Sequence, residues 1–341
     1  MKATGYAENL PLSDAKSLED IDIPRPIAAG HDLLVKVHAI SVNPADYKVR
    51  QGMAPEAGEY KVIGWDATGE VVATGEDVKN FTPGDVVYYA GDITRPGCNA
   101  EYQLVDERIV GKKPKSLSDA EAAALPLTAI TAWEILFEHL LLQQQAPGSK
   151  EKSDEILLVV GAAGGVGSIL IQLARALTGA TIIATASRPS SEEWVRNLGA
   201  DYVINHRQPL GPQIEALEIG SVTHVASLHS TDSYYDTYCN ILAPFGKIAM
   251  TDDPPALDVT KLKLRSLSFH WEFMFARSMF QAGDMDEQGK LLNRVADLID
   301  RGYVKTTIGK NMGTINATNL KAAHAELESG KSIGKIVLEG F

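Results

Sequence analysis

From residue 156 to residue 174 the chain carries no charged side chain, and four glycines, Gly161, Gly164, Gly165 and Gly167, interrupt the run. The stretch reaches the length of a membrane span, but it begins with five β-prone residues, 156–160, and ends as an amphipathic helix pattern. A strand covered on both faces reads as a continuous apolar run, so a buried parallel strand, a tight turn and a helix explain the pattern better than a bilayer does. The arrangement then repeats. Strands are expected at 156–160, 181–186, 202–204, 222–227 and 247–251, with helices at 166–177, 192–198 and 233–242 between them and Gly199 and Gly246 as stop signals. Ser190, Ser191, Glu192 and Glu193 supply a capping box for the second of these helices. Strands joined by helical crossovers form a doubly wound parallel sheet. A further apolar strand at 267–273 extends it.

The first 115 residues have a different character. Strand-like alternation at 33–42 is followed by short runs at 69–73, 85–89 and 100–105, separated by punctuation such as Thr82-Pro83-Gly84-Asp85. An irregular β-barrel or sandwich suits this half. Ser118 and Glu121 form another capping box, and a second helix is expected over 128–141, after Pro126. The polar segment 143–155, with three consecutive glutamines and Pro147-Gly148-Ser149-Lys150, reads as a solvated surface loop. Beyond the sheet, a helix at 286–301 stops at Gly302, and a strand, a helix and a strand follow, the last at 335–338.

Composition narrows the function classes. A chain of 341 residues has room for two domains. A net charge of -12 leaves no excess of Lys and Arg to displace counterions from a phosphate backbone, which argues against nucleic acid as a partner. Cys98 and Cys239 lie far apart and in no CxxC pair, so neither a disulfide framework nor a cysteine-built zinc site is expected. The first residues lack the apolar run of a signal peptide. A cytoplasmic protein without membrane partners is the expectation.

The run Gly161-Ala162-Ala163-Gly164-Gly165-Val166-Gly167 sits where the first strand of the sheet enters its helix. Glycine there lets the backbone approach a pyrophosphate and lets helix and strand cross closely. Free N–H groups at the helix start would hold the phosphates, so Ala162, Gly164, Gly165, Val166 and Gly167 are candidate cofactor residues. The end of the next strand decides which dinucleotide. A site for NAD places Asp or Glu there, whereas this strand continues into Ser187 and Arg188. A hydroxyl and a planar, permanently charged guanidinium suit a 2′-phosphate, which favours NADPH. Thr251, at the end of another sheet strand, stands where ligands of such folds bind.

With these residues on the page, the chain resembles the medium-chain dehydrogenase/reductase superfamily. The resemblance rests on Ser41-Val42-Asn43-Pro44-Ala45-Asp46-Tyr47, Ile63-Gly64-Trp65-Asp66-Ala67-Thr68-Gly69, Leu125-Pro126-Leu127-Thr128-Ala129 and the glycine turn. It is closest to the zinc-independent quinone oxidoreductase branch and its relatives called zinc-type alcohol dehydrogenase-like proteins. Residues 273–280 and the ending Gly334-Lys335-Ile336-Val337-Leu338 point to that subgroup. The resemblance implies an α/β fold in which a Rossmann doubly wound parallel sheet is inserted in a GroES-like β-rich catalytic domain. Its segments would be 1–126, 127–273 and 274–341, with an active site where the domains meet. It also implies a homodimer, with 267–273 as the candidate joining edge.

The family pattern exposes a departure. Zinc-dependent members use a Cys, a His-Glu pair in G-H-E-x-x-G and a further Cys, while the matching positions here are Asn43, Trp65 and Asp66, and 125–132 contains no Cys or His. No metal is therefore expected. A zinc ion stabilises the alkoxide in alcohol oxidation; hydride addition to a quinone, or to the β-carbon of an enone or enal, gives a delocalised oxyanion that hydrogen-bond donors can support. Asn43 and Tyr47 are the candidate catalytic residues, with Asp46 shaping their loop and Trp65 lining or filling the slot. The resemblance adds Thr128 as a cofactor contact, and His206 stands where a ring can cover the adenosine. Lys335 either reaches cofactor or substrate or is a solvated surface residue. A low-turnover NADPH-binding protein is the competing reading, and a zinc alcohol dehydrogenase the disfavoured one.

Overall fold

The computed structural model describes residues Met1–Phe341, which divide into two compact units. The first comprises residues 1–130, 275–302 and 306–341, and the second comprises 131–274 and 303–305.

The second unit is built on six parallel strands. Their order across the sheet is Tyr202–Ile204, Thr181–Thr185, Ile156–Val160, Val222–Ser227, Leu242–Met250 and Ser268–Trp271. Counted along the chain this is 3-2-1-4-5-6, the order of a dinucleotide-binding sheet, and it reverses beside Ile156–Val160. Leu158, Val160, Ile183, Val225 and Ile248 fill one core with Tyr238.

Two helices depart from expectation. The helix Pro189–Asn197 starts three residues before 192, because Pro189 presets the first helical φ. Ser191 rather than a Ser190–Glu193 box closes its start: the Arg188 N–H donates to Ser191 Oγ at 3.2 Å, and that hydroxyl donates back to the Arg188 carbonyl at 2.9 Å. A short helix at Leu210–Glu215 also occurs where no element is expected; Pro212 falls within its first turn, where a missing N–H costs nothing because that group has no helical acceptor.

The first unit holds a seven-stranded sheet. Its path runs Ile308–Asn311, Lys335–Glu339, Asp32–Val42, Ala67–Thr74, Val86–Tyr89 and Val110–Lys112, and Tyr102–Asp106 also pairs with Asp32–Val42. A smaller sheet joins Glu19–Asp22, Lys2–Tyr6 and Lys61–Val62. Lys335–Glu339 pairs antiparallel with Asp32–Val42, so Ile336 lies opposite Val42 and a late strand completes a sheet made by the start of the chain. Ser118 and Glu121 cap Asp119–Ala123 as expected. The helix Pro126–Trp133 passes into a π-helical stretch, Glu134–His139, in place of one regular helix over 128–141. The span Asp119–His139 is long and apolar enough to cross a membrane, but 94% of its most apolar window is buried inside the protein. Its apolar surface is thus already covered.

Candidate active site

In the second unit the turn after Ile156–Val160 begins at Gly161, whose φ of 79° favours glycine and whose N–H donates to Thr185 Oγ1 at 3.2 Å. Gly164 is the N-cap of the helix Gly165–Leu177, and Ser168 Oγ donates back to the Gly164 carbonyl at 2.7 Å. A Cβ on Gly167 would stand 2.5 Å from the Ala162 carbonyl oxygen and 2.6 Å from its Cα, so helix and turn touch backbone to backbone. Ala162 and Gly167 are buried; residues 163–166 are half-buried. No acidic residue occupies the first helical turn. Its N–H groups lack helical acceptors and carry the positive end of the dipole, which is the chemistry of a phosphate cradle.

Ser187 and Arg188 follow the neighbouring strand and are half-buried, and no carboxylate appears before Glu192. Beyond the next strand lie His206 and Arg207, with the turn held by Tyr234, whose hydroxyl donates to the His206 carbonyl at 3.1 Å. Burial holds the His206 imidazole below its ordinary pKa, and the positive fields of Arg207, His229 and Arg188 push the same way. Basic side chains that follow three strands of the sheet thus lie near enough to His206 for their fields to reach it. Arg207 and His229 escape the sequence reading. Their only signal is a basic residue just past a strand, and a strand's neighbours are not visible in sequence. Thr251 directly follows Leu242–Met250, and its N–H donates to the Ser227 carbonyl at 3.3 Å.

The first unit carries the other candidates. Asn43 is the N-cap of the helix Pro44–Gly52 and only 1% exposed. Its Nδ2 donates to the Trp65 carbonyl at 3.2 Å and to Asp66 Oδ2 at 2.8 Å, while its Oδ1 accepts from Lys335 Nζ at 2.5 Å. Lys335, 3% exposed, also donates to the Val42 carbonyl at 3.0 Å and to Asp66 Oδ2 at 2.9 Å. The Asn43 amide and the Lys335 ammonium both donate inside the unit, and of the two readings of Lys335 the solvated surface residue is excluded by its burial. Tyr47, on the same helix, remains half-buried. Trp65 fills space: it is 1% exposed, donates from Nε1 to the Asp92 carbonyl at 3.2 Å and meets Phe275 edge-on. Thr128 is buried, with Oγ1 donating to the Leu125 carbonyl at 3.0 Å.

Asp46 shares this cluster. Its Oδ2 accepts the Asn43 N–H at 2.5 Å and its Oδ1 has no partner. Burial pushes its pKa up to about 7, against the opposing pull of the Asn43 N–H and Lys335. A carboxyl whose folded pKa is raised stabilises the fold fully below its unfolded pKa and loses that contribution as pH rises through the folded value. Asp46→Asn should therefore gain in Tm relative to the parent as pH rises from about 4 to about 7, by several degrees at the upper end. Thermal melts of both proteins at pH 5 and pH 8 check this, and an unchanged difference contradicts it.

Zinc does not suit this donor set. Asp66 already accepts from Ser41 Oγ at 2.9 Å, the Leu127 N–H at 2.7 Å, Asn43 and an ammonium. Burial raises the Cys98 pKa, and that thiol donates to the Asp66 carbonyl at 3.4 Å. No group of three or more His, Cys, Asp and Glu side chains is arranged to hold a metal ion.

Residues 198–338 match the zinc-binding dehydrogenase family, and residues 29–115 match the alcohol dehydrogenase GroES-like domain. A zinc-type alcohol dehydrogenase-like protein of Staphylococcus aureus is 40% identical over 99% of both chains. A Rhizobium etli protein assigned as a zinc-dependent alcohol dehydrogenase has a crystal structure that superposes with a TM-score of 0.95, at 52% identity, over 100% of this chain and 98% of its own. A chloroplastic quinone-oxidoreductase of Triphysaria versicolor is 28% identical over 95% of this chain and 94% of its own.

Proposed function

We propose, for a chain that belongs to the medium-chain dehydrogenase/reductase superfamily and its zinc-type alcohol dehydrogenase-like group, NADPH-dependent transfer of hydride to a quinone or to a conjugated enone or enal. The observation that carries the cofactor choice is the end of the strand Thr181–Thr185, where half-buried Ser187 and Arg188 stand and no carboxylate appears before Glu192 at the place a site for NAD would hold one. Bound at the glycine turn, NADPH supplies the hydride. The turn's N–H groups hold the pyrophosphate, and Arg188 and Arg207 meet the 2′-phosphate with charged donors.

The acceptor class follows from the other unit. Donors that do not suit zinc leave no Lewis acid for an alkoxide, whereas a phenolate or enolate spreads its charge and can be met by a phenol such as that of Tyr47. The resemblance to a quinone-oxidoreductase supports the same class.

A panel of NADPH and NADH against quinones, enals, enones and simple alcohols, with metal analysis of the same preparation, tests the reading. Quinone- or enal-dependent oxidation of NADPH by metal-free protein is the expected result, and zinc-dependent alcohol oxidation overturns it. The second reading, a low-turnover NADPH-binding protein, is favoured by the inward commitment of Asn43 and Lys335, and tight binding without turnover would select it. We also propose a homodimer through the sheet edge Ser268–Trp271, which pairs only with Leu242–Met250 and leaves Trp271 53% exposed. Sedimentation of the same preparation as a single-chain species would remove it. A reducing, cytoplasmic setting fits the two free buried thiols, Cys98 and Cys239.

A further inference from the structure

One carboxylate gathers four separate segments of the first unit. Asp66 lies just before the strand Ala67–Thr74 and accepts from Ser41 near the end of Asp32–Val42, from Asn43 at the cap of Pro44–Gly52, from the Leu127 N–H in the first turn of Pro126–Trp133, and from Lys335 opening the strand Lys335–Glu339. Two of those segments carry candidate site residues, Tyr47 and Thr128. The ammonium is held as tightly as the carboxylate. An ammonium has three donors, and the three from Lys335 go to Val42, Asn43 and Asp66. A second buried acid, Asp46, accepts the Asn43 N–H beside the pair. The pair lies in a place closed to water, where an unpaired charge is strongly unfavourable.

A buried cation ties strand ends and loops together by drawing several oxygen acceptors onto itself. Here the acceptors are turned onto an ammonium supplied by the chain itself.

We propose that Lys335 is an internal cation whose ion pair with Asp66 is a positioning device that fixes the Asn43–Tyr47 turn for the reaction. Lys335 touches neither cofactor nor substrate in this role; it acts through Asn43 and the helix that carries Tyr47. The positioning of Tyr47 for turnover rests on the hydride-transfer reading above, whereas the fixing of the turn does not.

The test compares the parent protein with Lys335→Met and with the double variant Lys335→Met/Asp66→Asn, which removes both charges and leaves neither alone in the core. Steady-state turnover with NADPH and a quinone, NADPH affinity by fluorescence titration, and hydrogen exchange over residues 43–53 are measured for each. Lys335→Met should lower kcat at least tenfold, keep the NADPH Kd within twofold and speed exchange in the helix Pro44–Gly52. The double variant should recover thermal stability but not kcat, a split that a purely structural role would not produce.

Parent-like kcat and exchange in the double variant would overturn the proposal. So would a tenfold weaker NADPH Kd at unchanged kcat, which would make Lys335 a direct cofactor ligand. If the parent turns over no acceptor, the hydride-transfer reading fails by itself, and the exchange comparison still decides whether the pair fixes the turn.

Discussion

Arg188→Ala weakens NADPH by roughly 10- to 100-fold and leaves NADH within about threefold, as expected for one lost charge-assisted contact of about 1.5–3 kcal/mol. The selectivity follows from geometry. Arg188 follows the strand Thr181–Thr185, where a dinucleotide's adenosine ribose is read, and the nearest acid along the chain, Glu192, lies inside the next helix. NADH has no phosphate for the guanidinium to meet, so it loses nothing. Adding Arg207→Ala deepens the loss for NADPH, because Arg207 shares the same positive field around His206. Fluorescence titrations with both cofactors measure it. Equal weakening of the two would remove the phosphate assignment and leave Arg188 a surface cation.

Gly167→Ala should abolish useful cofactor affinity and lower Tm by several degrees, because overpacking in a closed contact costs typically 1–3 kcal/mol or more. The new methyl would meet the Ala162 carbonyl oxygen, carbon and Cα at 2.5–2.7 Å, all backbone atoms that cannot rotate aside. Relief requires lifting the helix Gly165–Leu177 off the turn, which re-aims the N–H groups that would hold the pyrophosphate. Gly164→Ala is the informative partner. Its φ of -74° suits any residue, and a Cβ there finds only the Gly161 oxygen at 3.4 Å, ordinary contact. Stability should stay near the parent's while NADPH binding weakens, since the methyl stands over the cradle itself. Calorimetric melts and titrations of the two variants separate the effects. A Gly167→Ala protein with parent-like Tm and affinity would show that turn and helix are not in close contact.

The strands Ile156–Val160, Tyr202–Ile204 and Val222–Ser227 coincide with their sequence expectation, and Ile156–Val160 is the plainest of them because a strand buried on both faces leaves an unbroken apolar run between polar and glycine boundaries. Leu242–Met250 begins five residues earlier than the expected 247: the helix Thr231–Ile241 passes into it without an intervening loop, and the pairing with Val222–Ser227 shifts register between Val222 and His224. At the candidate sites the legible part is local. The glycine turn is written in consecutive residues, as is the absence of an acid after Thr185. The proximity of Arg188, Arg207 and His229 to His206 is not, since it exists only once strands distant in sequence are assembled into one sheet. Lys335 is the clearest illegible case. A lysine after Gly334 reads as solvated or cleft-facing, and nothing nearby in sequence announces that its partner, Asp66, lies 269 residues away.

That separation fixes an order of events during synthesis. A ribosome delivers the chain from one end, and domains close as their residues emerge. All six strands of the parallel sheet have been made by Trp271, well before Lys335 appears. The parallel-sheet unit can therefore close while the β-rich unit, begun first, still lacks a strand of its main sheet and holds Asp66 without the ammonium of Lys335. The earliest-made segment is the last to be finished, and until then the end of its long strand, Ala39–Val42, stays an open template for any passing strand, while Tyr102–Asp106 can already cover Asp32–Lys36.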